Sequence, residues 1–302
     1  MQGKEQEIEE YSNALDAVLP LNKFKGKTFV IKYGGSIMNN EASQNAFIED
    51  IFYMRQIGIN IVIVHGGGPE ISKWLNKTGN QSKFVKGLRV TDENMMEIVE
   101  MVLSGKVNKD LASKLSIKGV NAVGLSGRDG NLIKAKKKCL FEDGKVIDIG
   151  YVGEVVKVNV KLLNNLLSNE IVPVISPVGY DNDGNKYNLN ADHAASFISS
   201  ALNAEKLIIL TDVEGVYRNK NDKSSLIPCI NIDEINQYIN EGIINGGMIP
   251  KMESCIEAVE NGTGNVHLID GICEHSLIFD TINNSGTKII SKEEDNECQK
   301  VI

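Results

Sequence analysis

The chain has 302 residues, 42% of them apolar and 24% charged, with a formal net charge of −8. That length holds one large α/β domain or two lobes with an ample core, and the composition is that of an ordinary soluble protein. The negative balance opposes binding to nucleic acid or anionic membranes, so any anion site has to be locally cationic. The Lys134-Ala-Lys136-Lys137-Lys138 cluster has no aromatic stacking platform beside it and reads as a solvated strand or loop end. The cysteines, Cys139, Cys229, Cys255, Cys273 and Cys298, are odd in number and widely spaced without a C-x-x-C, which argues against a zinc site or a disulfide framework and for a reducing compartment. With no apolar run near ~18 residues and an acidic start unlike a secretory or transit leader, the expectation is a cytoplasmic protein, or one of the plastid stroma if organelle-encoded.

In chain order, Ile8, Tyr11, Leu15, Val18 and Leu19 form a narrow helical stripe that Pro20 ends, suited to docking on its own domain or on a neighbouring subunit. Two β-branched runs follow, 28–33 and 60–64, each of buried-strand length and each discharging into glycine: Lys32-Tyr-Gly-Gly-Ser36 and His65-Gly-Gly-Gly-Pro69. The amphipathic segment between them makes a βαβ unit, and Pro69 suits the first turn of the next helix. A basic loop, Lys86-Gly-Leu-Arg89, ends in the helix cap Thr91-Asp92. The long helix from about Glu93 to Lys118 contains Gly105, a candidate close crossing. After a strand at 120–125, residues 132–158 lose helical periodicity, and Asp143-Gly144 signals a β-hairpin, read as a lid over the first lobe's pocket. Helical and strand patterns then alternate through 162–167, 171–178, 191–202, 206–211, 233–241, 248–261, 265–270, 273–282 and 287–290. The fold class is therefore α/β: a three-layer αβα sandwich with an open, mainly parallel central sheet shared by two lobes. The segments are 1–22 (oligomerisation helix), 23–178 (first lobe) and 179–302 (second lobe).

Consecutive glycines at a strand end let a ligand approach the backbone, and their N–H groups at a helix N-terminus form an anion cradle. Two such cradles and Lys32 suggest phosphate handling, although neither is a P-loop nor a dinucleotide fingerprint. Taken singly, each candidate has a plainer reading. Arg89 would be a surface residue, Asp192 an N-cap, and Lys251 a cation at an unfavourable helix end. His65 and His193 are conceivable bases, but a carboxylate nucleophile needs none, and His65 is expected to be a structural hydrogen-bonding residue.

The two loops gain specificity when read with Gly87-Leu-Arg-Val-Thr91, Asn188-Leu-Asn-Ala-Asp192, Thr211-Asp-Val213 and Gly246-Gly-Met-Ile-Pro-Lys251. In this order the segments resemble the amino acid kinase family, and within it the N-acetylglutamate kinases, over about residues 24–290. The resemblance implies transfer of the ATP γ-phosphoryl group to the γ-carboxylate of N-acetyl-L-glutamate, with Mg2+ bound to the ATP, no organic cofactor and no resident metal. It implies that Lys32 and Lys251 neutralise the transferring group, that Asp192 orients both lysines, and that the backbone N–H groups of Gly35 and Gly67 receive phosphoryl oxygens. Gly67, Gly68, Arg89, Asn188 and Asn190 would hold the acceptor, with Arg89 on its α-carboxylate. Lys32, Thr211, Asp212, Gly215, Tyr217, Met248 and Lys251 would hold ATP.

The N-terminal stripe resembles that of members inhibited by arginine, where it interlaces dimers into a hexamer. Such members also bring an arginine effector site, here His267, Glu274, His275, Asp280 and Gly286, and in some relatives a PII-type regulator. Leu21 stands in place of the family's usual tyrosine, Asp280 in place of a glutamate and Ile272 in place of an arginine. Rival readings are another carboxylate kinase of the same family, such as an aspartate or glutamate kinase, or a catalytically silent arginine- or nucleotide-binding regulator.

Overall fold

The computed structural model describes residues 19–35, 37–142 and 144–291. The β-branched runs become one eight-stranded sheet. Its spatial order is Cys229–Asn231, Thr287–Ile290, Asn265–Asp270, Lys206–Thr211, Thr28–Tyr33, Asn60–His65, Val172–Ser176 and Ala122–Ser126. Every neighbouring pair is parallel except Asn265–Asp270 with Thr287–Ile290.

Thr28–Tyr33 lies at the centre, and the two-residue period of a strand sends its side chains to both faces. Phe29 and Ile31 pack on one side with Ile51, Met54, Leu111, Leu115 and Leu277, from helices Glu41–Ile57, Asn108–Ile117 and Ser276–Asn283. Val30 packs on the other with Leu163, Ala195, Ile198, Ile235 and Met252, from helices Val160–Ser168, Ala191–Ala201, Ile232–Asn240 and Met248–Glu260. These are the three αβα layers, and one continuous sheet runs through both halves of the chain. Among the described residues no helix is long and apolar enough to cross a membrane.

Several local features differ from the sequence reading. The helical run that starts with Glu93–Glu100 passes through a π-helical stretch, Met101–Val107, before resuming at Asn108–Ile117. Gly105 lies in that stretch with open space where a Cβ would stand, so it marks no close crossing. The crossing is at Gly67 instead, where an added Cβ would come within 2.5 Å of Leu103 Cδ2. A hairpin does form from Leu140–Glu142 and Lys145–Ile147. The flanking strands Ile133–Lys137 and Val152–Val158 join Val178–Tyr180 and Lys186–Leu189 in a closed four-stranded barrel, which removes its edges. All of the N-terminal stripe except Leu19 lies outside the described residues; Leu19 opens the 3-10 turn Leu19–Phe24, in which Leu21 is buried. Cys139, Cys255 and Cys273 are free, but Cys229 is disulfide-bonded, contrary to the expectation drawn from cysteine spacing.

Candidate active site

The alternation that buries Phe29 and Ile31 on one face turns Lys32 toward helix Ala191–Ala201 on the other. Asn190 caps that helix, its Oδ1 accepting from the N–H groups of Asp192 (2.8 Å) and His193 (3.1 Å). The N-cap role that the plainer reading gave to Asp192 is therefore filled by Asn190, and the Asp192 carboxylate is free for other work. Its Oδ1 lies 2.9 Å from Lys32 Nζ and its Oδ2 3.3 Å from Lys251 Nζ. Lys251 comes from the first turn of helix Met248–Glu260, an end that disfavours a cation unless a carboxylate holds it. Burial would push the Asp192 carboxyl up, but Lys32 and Lys251 override it and hold the group below the usual carboxylate range. Burial, reinforced by the charge of Lys251, lowers Lys32 against the pull of Asp192. One carboxylate between two ammonium groups leaves an excess of one positive charge.

The two glycine loops pack against each other beside this trio. Gly66 N–H donates to the Tyr33 carbonyl at 2.8 Å, and a Cβ at Gly35 would stand 2.8 Å from Pro69 Cδ. A side chain at either Gly35 or Gly67 would collide with its neighbour, so close packing holds both positions to glycine. Gly67 immediately precedes helix Gly68–Lys77, where orphan N–H groups favour an anion.

Arg89 is buried on a small hairpin, Phe84–Val85 with Leu88–Arg89, that folds over the second loop. Its Nη2 donates to the Gly68 carbonyl (3.0 Å) and to Ser72 Oγ (2.9 Å), and its Nη1 donates to Ser82 Oγ. The guanidinium lies 4.7 Å above the Phe84 ring. Arg89, Gly67, Gly68, Asn188, Asn190 and Leu103 line a cavity of about 170 Å³. Asn188 Nδ2 donates to Thr91 Oγ1 at 3.3 Å, and Asn188 itself belongs to the small barrel, which thus walls the cavity. At the hairpin tip, a Cβ on Gly87 would lie 3.8 Å from Pro250, the residue before Lys251.

The remaining candidates divide. Thr211 ends the strand next to Thr28–Tyr33, and its hydroxyl donates to Asp212 Oδ1 at 3.1 Å. Gly215 is set against Thr287, where an added Cβ would meet Oγ1 at 2.4 Å, so packing alone accounts for a glycine there. Tyr217 donates its hydroxyl to Glu214, and Met248 opens the helix of Lys251. His267 and Asp280 do meet: His267 Nδ1 is 2.7 Å from Asp280 Oδ1, and Lys206 Nζ is 3.0 Å from Asp280 Oδ2. Gly286 lies against Leu268. His275 turns away to Asp50, 2.7 Å from its Oδ1, and Glu274 is exposed, so these two do not join the cluster. Sequence reasoning missed Ser72, Ser82, Asn108 and Lys206. No motif marks the serines, whereas Lys206, a charge opening a run of buried aliphatics, was a visible anomaly. Among the described residues no His, Cys, Asp and Glu side chains gather in threes as a metal cluster would.

Residues 27–270 match the amino acid kinase family. The acetylglutamate kinase of Clostridium acetobutylicum is 61% identical over 287 residues, 95% of this chain and 97% of that protein. A solved structure from Streptococcus mutans, smu.665, is 32% identical with a TM-score of 0.73, over 87% of this chain and 98% of its own. The N-acetylglutamate synthase of Neisseria gonorrhoeae shares the fold at 24% identity and a TM-score of 0.79. The match covers 93% of this chain but only 63% of that longer protein. On its fold, its trio of charged residues and these likenesses, the chain belongs to the amino acid kinase family.

Proposed function

We propose that this chain is an ATP-dependent acetylglutamate kinase, passing the γ-phosphoryl group of ATP to the γ-carboxylate of N-acetyl-L-glutamate. The products are N-acetyl-L-glutamyl 5-phosphate and ADP, on the way to arginine. The observation that carries the reading is the cavity in which buried Arg89 stands over Gly67 and Gly68, lined also by Asn190, the cap of the helix whose Asp192 joins Lys32 to Lys251. Arg89 grips the α-carboxylate, and Asn188 and Asn190 make the neutral contacts to the acceptor. The γ-carboxylate is then aimed at the glycine loops, already ionised and in need of no base. Lys32 and Lys251 neutralise the transferring group, with Gly35 and Gly67 N–H donors on its oxygens. Asp192 gives both oxygens to the lysines, so it does not fit as a metal ligand, and magnesium enters as part of the nucleotide substrate. Thr211, Asp212, Gly215, Tyr217 and Met248 form the nucleotide side of the cleft.

ATP-dependent acyl hydroxamate formation tests the reading, with N-acetylglutamate, glutamate and aspartate compared. Turnover is expected with the acetylated substrate, and its absence would sink the proposal. Arg89→Ala should raise the KM for the acceptor about tenfold or more while leaving most of kcat, because it removes a contact to a group remote from the chemistry.

The finer proposals are a hexamer built as a trimer of dimers, arginine inhibition, a PII-type partner and a cytoplasmic or stromal location. For arginine, the support narrows to His267, Asp280 and Gly286. Both Asp280 oxygens are engaged, and the carboxyl, which burial would raise, is held low by His267 and Lys206, so an incoming guanidinium has to displace or share those partners.

A further inference from the structure

We infer that His65 is a positioning residue of this kinase, which locks the Gly66–Gly67 peptide so that the Gly67 N–H faces the transferring phosphoryl group. The inference rests on the proposed role of that N–H and goes on to say what aims it.

The tautomer follows from a chain of hydrogen bonds. Asn108 is buried where the π-helical stretch gives way to helix Asn108–Ile117. Its Nδ2 faces two carbonyls, Val174 at 2.8 Å and Leu125 at 3.2 Å, while its Oδ1 accepts from Lys109 Nζ at 3.2 Å. The amide is thereby fixed with its NH₂ toward His65 Nε2, 3.1 Å away; its two hydrogens are shared among three acceptors, and a ring nitrogen that faces an NH₂ is not the place for the ring proton. The imidazole proton then sits on Nδ1 and donates to the Gly66 carbonyl at 2.7 Å. Burial pushes the His65 pKa down to about 4, which keeps the ring neutral and this tautomer in place at working pH.

The peptide that receives the bond needs it. Gly66 C=O and Gly67 N–H belong to one planar trans unit and point in opposite directions. A peptide between two glycines has no Cβ on either side to resist turning over. Its flanking groups are already pinned, Gly66 N–H on the Tyr33 carbonyl (2.8 Å) and Gly67 C=O on Ile71 N–H (2.9 Å). The intervening plane is the remaining freedom, and His65 removes it. Leu103, from the π-helical stretch just before Asn108, presses on Gly67 from the other side. Among the described residues the Gly67 N–H has no acceptor, so it is left for a ligand.

The test compares His65→Leu with His65→Asn, whose Nδ2 can stand where Nδ1 stood, in the acetylglutamate assay with thermal melts alongside. His65→Leu should lose about 10- to 100-fold in kcat with both KM values within a few-fold, the pattern of a misaimed transition-state donor. His65→Asn should recover most of that loss. Histidine-labelled ¹⁵N spectra of the unmodified enzyme should show His65 as the neutral Nδ1–H form, an observation that survives if His65→Leu does not fold. Unchanged kcat in a folded His65→Leu, no recovery in His65→Asn, or an Nε2–H ring would each overturn the inference. Failure of the unmodified enzyme to phosphorylate acetylglutamate would overturn the kinase reading and leave the tautomer result standing.

Discussion

Asp192 and its two lysines illustrate how unequal the members of one charged cluster are. Lys32→Ala or Lys251→Ala removes a cation but leaves the carboxylate with a partner, so each should fold and lose about 100-fold or more in kcat. Asp192→Asn leaves two ammonium groups facing each other in a largely buried site, and breaking a buried pair in this way costs about 3–5 kcal/mol. Urea melts should therefore rank Asp192→Asn well below either lysine variant. Intact turnover in a lysine variant would contradict its neutralising role. His65 adds a pH term of known sign. Its pKa falls from 6.5 to about 4 on folding, so as the solution is acidified the unfolded chain takes up the proton first. Its contribution to stability is present above about pH 6.5 and is lost on the way down to about pH 4. Replacing it with asparagine should flatten that part of the stability profile.

At the scale of elements, two glycines separate function from tolerance. Gly105 is exposed in the π-helical stretch with nothing near its missing Cβ, so Gly105→Ala should raise stability by about 0.5–1 kcal/mol and leave kcat alone. Gly67→Ala meets Leu103 at 2.5 Å and should abolish most turnover; a fully active Gly67→Ala enzyme would refute the close backbone approach. Much of this architecture was legible in the sequence, because continuous β-branched runs ending in glycine have few other readings. The trio and Arg89 were legible for a different reason, through motifs that keep their order along the chain. What escaped was whatever depends on tertiary closure. Gly105 looked like a crossing because a helical glycine has that meaning on average, but nothing in its neighbours says which helix face meets the other loop. The barrel escaped because Val178–Tyr180 and Lys186–Leu189 are short, and their partners lie at residues 133–137 and 152–158. Ser72 and Ser82 converge on Arg89 from different elements, a coincidence that only the fold creates.

For the whole molecule, the proposed hexamer depends on the segment before Leu19, so the full chain and a chain starting at Lys23 should sediment as hexamer and dimer respectively. Two dimers would refute the ring. In the proposed reaction, ATP held without an acceptor has to be kept from losing its γ-phosphoryl group to water. The strap that carries Arg89 ends at Gly87, close enough to Pro250 that a methyl group on the strap would touch it, and Pro250 immediately precedes Lys251. Arg89 on that strap lines the proposed acceptor cavity, so the strap runs from the acceptor side to the neighbourhood of the turn that carries Lys251. Under the proposed function this proximity gives the acceptor side a route to the lysine, and ATP hydrolysis measured without acetylglutamate should then stay well below the rate of phosphoryl transfer.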